Sequence, residues 1–92
     1  MFVNKNAMTK FEYIITDELG IHARPAGLLI REVKKYKSLV TFSHGEKTSE
    51  GNKVFGIMKL GIKQGDTLGV TVEGTDEEEA ATAIKKTLET HL

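Results

Sequence analysis

The chain has 92 residues, 13 basic and 13 acidic side chains, no formal net charge and 39% hydrophobic residues, which fits one small domain with a modest core and argues against the basic footprint of a nucleic-acid binder. It has no cysteine, so disulfides and thiolate metal centres are excluded. No apolar run reaches bilayer-crossing length and the N-terminus lacks a signal-peptide core, so a cytoplasmic protein without direct membrane insertion is expected.

Residues 1–7 show no clear period and are set apart as an extension, either disordered or foreign to the native chain. The domain is expected to span 8–92. In Lys10-Phe11-Glu12-Tyr13-Ile14-Ile15-Thr16, the residues Phe11, Tyr13 and Ile15 alternate, which predicts a strand. Asp17-Glu18-Leu19-Gly20 is a polar turn closed by glycine. From Ala23 the period lengthens, and Ala26, Leu29, Ile30 and Val33 make one helical stripe. Pro25 falls in the first turn, where a missing N–H costs nothing. Arg24, Leu28 and Arg31 lie opposite the stripe, which predicts an exposed Leu28 near Arg24. Lys34, Lys35 and Lys37 close the helix at its negative end.

Leu39–Ser43 reads as a second strand, His44-Gly45-Glu46 as a hairpin turn and Lys47–Ser49 as a short polar edge strand. Asn52 and Gly61 bracket two helical turns from Lys53 to Leu60, as N-cap and C′. Ile57 and Leu60 share one side of that element; Val54, Phe55 and Met58 share another. Either the second side is an exposed patch for a partner, or all five residues fill a tight corner. Thr67–Glu73 alternates with Leu68, Val70 and Val72 inward. Thr75 and Glu78 have capping-box spacing for a final helix to about Glu89, with Ala80, Ile84 and Leu88 inward. The order β-α-β-β-α-β-α, with one apolar face per strand, predicts an α+β fold. Its form is an open-faced β-sandwich: a four-stranded antiparallel sheet with three helices on one face.

Of the three histidines, His44 and His91 read as surface residues of a turn and a fraying terminus. None has the spacing of a metal pair, so no metal or cofactor is expected. His22 differs because it precedes a helix, whose first N–H groups are unpaired. The helix's positive end disfavours a protonated ring and keeps the nucleophilic form available. A phosphoryl group on that ring would meet free N–H groups and the Arg24 guanidinium. On the residues alone, His22 is either a structural cap or an anion or phosphoryl site. Gly51-Asn52-Lys53-Val54-Phe55-Gly56 opens like a P-loop, but Ile57-Met58 stand where Lys and Ser/Thr are required, so nucleotide binding there is rejected.

Gly20-Ile21-His22-Ala23-Arg24-Pro25-Ala26 resembles the active-site signature of the HPr family, the histidine-containing phosphocarriers of the phosphoenolpyruvate-dependent sugar phosphotransferase system. Lys53-Val54-Phe55-Gly56-Ile57-Met58-Lys59-Leu60-Gly61 resembles the family's second signature, and the resemblance runs from about Met8 onward. It implies that His22 takes a phosphoryl group on Nδ1 from Enzyme I and gives it to the A domains of sugar permeases. It further implies that Arg24 assists at the phosphoryl group, and that Val54, Phe55 and Met58 dock partners with Ala23, Gly27 and Leu28 beside them. Such a protein is a monomeric carrier rather than an enzyme. The alternatives are an HPr-like regulatory binding module, a paralogous nitrogen-type relay, or an unrelated α+β ligand-binding domain with His22 as a cap. Two positions depart from the family pattern. Lys53 stands where many members carry a regulatory serine, so phosphorylation there is not expected. Gly27 replaces a more usual alanine or threonine, costing about 1 kcal/mol of helix propensity while letting a partner approach more closely.

Overall fold

The computed structural model describes residues 8–92, and the expected extension at 1–7 lies outside the described residues. The elements are β1 (Thr9–Ile14), α1 (Ala23–Val33), β2 (Leu39–His44), β3 (Lys47–Glu50), α2 (Val54–Met58), β4 (Thr67–Glu73) and α3 (Glu77–His91). The strands form one sheet in the order β1-β4-β2-β3, and each neighbouring pair is antiparallel. Val70 of β4 pairs with Phe11 on one side and Phe42 on the other.

Strict alternation in β4 turns Leu68, Val70 and Val72 into the core and leaves Thr67 and Glu73 outside. Ala26, Leu29, Ile30 and Val33 of α1 and Ala80, Ile84 and Leu88 of α3 meet those side chains in one cluster. Each large apolar side chain buried there stabilises the fold by roughly 1.5–3 kcal/mol. The opposite face of the sheet carries Lys10, Glu12 and Thr48 to solvent. The architecture is the expected open-faced α+β sandwich with three helices on one face.

Tertiary contacts move several boundaries. β1 stops at Ile14 because Ile15 leaves the ladder for the loop before β4: its N–H donates to the Asp66 carbonyl at 3.0 Å and its own carbonyl accepts from Gly65 N–H at 2.8 Å. α2 is shorter than the sequence suggests, with Lys53 rather than Asn52 as N-cap. The capping box at Thr75 and Glu78 does not form, since α3 starts at Glu77 with Asp76 as N-cap. Asp76 makes no side-chain cap. Its carboxylate instead accepts from the Lys37 N–H at 2.9 Å, the Ser38 N–H at 3.0 Å and the Ser38 hydroxyl. Glu77 reaches back to the Gly74 N–H and takes the Thr9 hydroxyl.

His44 is not a turn residue. It ends β2, and its Nδ1 donates to the Leu60 carbonyl at 2.8 Å while Nε2 lies 3.3 Å from Asp66 Oδ2. The ring ties β2 to the exit of α2 and to the loop before β4. The chain end is also fixed rather than frayed. Leu92 is buried, and a main-chain oxygen of it accepts from Thr16 N–H at 2.6 Å, Asp17 N–H at 3.0 Å and the Thr16 hydroxyl at 2.9 Å.

The donors around Asp76, with the Ser38 hydroxyl the largest influence and the Lys37 N–H next, hold its carboxyl below the ordinary value of 3.8. A carboxyl depressed in the folded state contributes stability that is present above its unfolded pKa and lost as pH falls through the folded one. Asp76→Asn should therefore unfold at lower urea than the parent at pH 7. The gap between their midpoints should narrow as the pH is taken below about 3.8, since the charge is then lost from the parent as well.

Candidate functional site

α1 begins immediately after His22, which is the N-cap in an extended conformation (φ −119°, ψ −177°) and makes no side-chain cap bond. An N-cap side chain ordinarily satisfies the first-turn donors; here the imidazole leaves them alone. The His22 carbonyl takes the Ala26 N–H at 3.0 Å. Pro25 has no N–H, so the free first-turn donors are those of Ala23 and Arg24. The His22 side chain is 37% exposed, enough for a partner to reach it.

The approach to His22 is held rigidly. Gly20 has φ +68°, and its N–H donates to the Asp17 carbonyl at 3.0 Å. The Ile21 N–H donates to the Ile62 carbonyl at 3.2 Å, and Ile21 itself is buried. A side chain at Gly20 would collide with the Ile62 carbonyl oxygen and the Lys63 backbone. Glycine is therefore required twice over, for its left-handed backbone and for the close passage of two chain segments.

His22 and Arg24 share an open cup of about 280 Å³ with Asp17, Pro25, Leu28 and His91. Arg24 is exposed and Pro25 is buried beneath it. Leu28 is half-buried against this cup rather than freely exposed, because the cup wall covers one side of it. Ala23 is exposed and Gly27 half-buried, with open space where a Gly27 side chain would go. Beside the Arg24 guanidinium and the free first-turn N–H groups, the imidazole is left open to a small electrophile or anion arriving from outside.

α2 separates its apolar residues into two sides. Ile57 is fully buried and Leu60 nearly so, while Phe55 is 75% exposed. Val54 and Met58 are half-buried and pack on the core edge. The patch is thus centred on Phe55, with its neighbours supporting it. Lys53 is exposed and pairs with Glu50 at 3.5 Å. Sequence reasoning passed over Asp17 and His91 as site residues. His91 follows His22 by most of the chain, and no local pattern marks it. Asp17 was visible as part of a turn, but not as the owner of a carboxylate oxygen 3.8 Å from His22 Nε2.

The family model for the PTS HPr component phosphorylation site matches residues 9–90. The chain belongs to the HPr family. It is 44% identical over 86 residues to the phosphocarrier protein HPr of Mycoplasma pneumoniae, an alignment covering 91% of this chain and 97% of that one. A solved mycoplasma histidine-containing phosphocarrier superposes with a TM-score of 0.86 at 36% identity, covering 89% of this chain and 93% of the other. A solved HPr dimer from Thermoanaerobacter tengcongensis gives a TM-score of 0.72 at 35% identity, covering 85% and 90% of the two chains. The chain is therefore a phosphocarrier of the phosphotransferase system.

Two glycines separate the roles of backbone and space. Gly20→Ala should destabilise the protein by on the order of 1–3 kcal/mol through forced backbone strain. Gly27→Ala should stabilise it by roughly 1 kcal/mol through helix propensity, since the added methyl group meets nothing. Urea unfolding followed by far-UV circular dichroism reads both, and the two midpoints should move in opposite directions.

Proposed function

We propose that His22 accepts a phosphoryl group on Nδ1 from phosphorylated Enzyme I and passes it to the A domains of sugar permeases. Arg24 steadies the transferred group. Phe55, flanked by Val54 and Met58, docks the partners together with Ala23, Gly27 and Leu28. The observation that carries this reading is an accessible imidazole at the N-cap of α1 that spends no bond on capping. An anion arriving there meets the Ala23 and Arg24 N–H groups, the positive end of the helix dipole and one guanidinium. Each exposed dipole contact is worth roughly 0.3–1 kcal/mol. That is a shallow well, and a carrier needs one, because the group must leave as readily as it arrives.

The docking surface has to be vacant for donor and acceptor in turn, so the working unit is a monomer. Lys53 offers no hydroxyl for phosphorylation, and its ammonium stands where that modification would place negative charge. Regulation by a kinase acting at position 53 is therefore not part of this protein's behaviour.

Incubation with phosphoenolpyruvate and Enzyme I should yield an acid-labile adduct on the parent protein and none on His22→Ala; an adduct that survives this substitution overturns the assignment. Arg24→Ala should still be phosphorylated, roughly tenfold more slowly or worse, because a hydrogen bond to a charged group contributes about 1.5–3 kcal/mol. Phe55→Ala should leave the fold intact and weaken Enzyme I binding by roughly five- to thirtyfold, the range expected for an aromatic anchor at the centre of a contact. Isothermal titration calorimetry measures that loss directly.

A further inference from the structure

Asp17, on the rim of the cup, is anchored through both its main chain and its side chain. Its backbone N–H donates to a main-chain oxygen of Leu92 at 3.0 Å and its backbone carbonyl accepts from Gly20 N–H at 3.0 Å. Its Oδ1 accepts the Leu19 N–H at 2.8 Å, closing an Asx turn. These three bonds leave one acceptor uncommitted, Oδ2, which lies 3.8 Å from His22 Nε2. The separation is longer than a hydrogen bond. Bonds of this kind are often long in the unliganded state and tighten when the reaction partner arrives. Arg24 and His91 are the other titratable groups lining the cup.

We infer that Asp17 is a positioning residue for phosphoryl transfer, a conclusion that rests on the phosphocarrier reading above. An ionised carboxylate only accepts hydrogen bonds, so Oδ2 selects the neutral tautomer with hydrogen on Nε2. The lone pair then stands on Nδ1, the nitrogen assigned to the phosphoryl group. In the transfer, the Nδ1 lone pair forms the new bond to phosphorus. The bond between phosphorus and the donor atom breaks, and its electron pair stays on the donor. The ring keeps its Nε2 proton and acquires positive charge, which the Asp17 carboxylate faces directly. On transfer onward, the phosphorus–Nδ1 bond breaks, its electrons return to the ring, and the charge disappears. Asp17 therefore plays toward His22 the orienting part that an aspartate plays toward the histidine of a hydrolase triad.

The opposite expectation is equally definite. If Asp17 were only a negative charge near the cup, it would repel an incoming phosphate, and neutralising it would speed phosphorylation. Asp17→Asn distinguishes the two. Asparagine has a single acceptor oxygen, which the Leu19 N–H already claims, so its amide N–H₂ would face Nε2 and favour the reverse tautomer.

The test is ¹⁵N-histidine NMR of the full chain across a pH titration, with the rate of phosphorylation by Enzyme I and phosphoenolpyruvate measured in parallel. In the parent, the neutral His22 ring is expected to carry its hydrogen on Nε2. In Asp17→Asn it is expected on Nδ1, with phosphorylation slowed roughly three- to tenfold, the range for one lost hydrogen bond, and the urea midpoint little changed. A parent ring carrying hydrogen on Nδ1 overturns the inference without any variant, so the test survives even if Asp17→Asn fails to fold. An unchanged tautomer, or an equal or faster rate in Asp17→Asn, also overturns it. The tautomer measurement needs no phosphoryl donor. A parent that shows the expected tautomer yet never takes up a phosphoryl group would instead overturn the phosphocarrier reading, and the transfer role of Asp17 with it.

Discussion

A main-chain oxygen of Leu92 holds the site together. It accepts the N–H groups of Thr16 and Asp17, and so fastens the segment that leads to His22 onto the end of α3. The loop before β4 grips the same segment from another side, through Ile15 with Asp66, Gly65 with Ile15, and Ile21 with Ile62. Ile15 and Ile21 are buried at either end of it. A connecting segment this short of regular structure would otherwise be among the mobile parts of a domain. Here its backbone groups are paired with distant parts of the chain, and the imidazole that follows inherits a fixed position.

That rigidity is confined to the backbone. Arg24 and Phe55 project into solvent, and the cup is open. The division suits a protein that must meet several partners. A fixed main chain presents the His22 ring at a reproducible angle, the kind of positioning that makes encounters productive. Exposed side chains can adjust to whichever surface arrives. Electrostatic interactions at such an exposed site are screened by water and individually small.

The elements with unbroken periodicity were readable from the residues. β4 matched its alternation from Thr67 to Glu73, and the α1 stripe of Ala26, Leu29, Ile30 and Val33 is the buried face. Local spacing failed where a side chain had a distant use. Thr75 had the spacing to cap α3, but the helix begins one residue later, at Glu77, where the Asp76 carboxylate is held by the N–H groups of Lys37 and Ser38. His44 looked like a turn residue because its partner, the Leu60 carbonyl, lies on another element. The two-sidedness of α2 was legible, but how far each side is covered was not, since that depends on α1 packing beside it. His22 and Arg24 stood out by their place before and within the first turn of α1. Asp17 and His91 did not, because what makes them neighbours of His22 is the anchoring of the chain end, which no window of sequence contains.

The order of strands bears on how the protein is made. β4 sits between β1 and β2, yet it is the last strand to be synthesised. As the chain leaves the ribosome, β1 has no neighbour in the sheet until residues beyond 67 emerge, and closing such distant pairings is slow. Of the backbone acceptors that hold the segment before the histidine, Ile62 is made shortly before β4 and Leu92 well after it. A nascent chain therefore carries His22 with its approach unfastened for much of translation, and the cup around the imidazole takes shape only after the residues through Leu92 are available to fold.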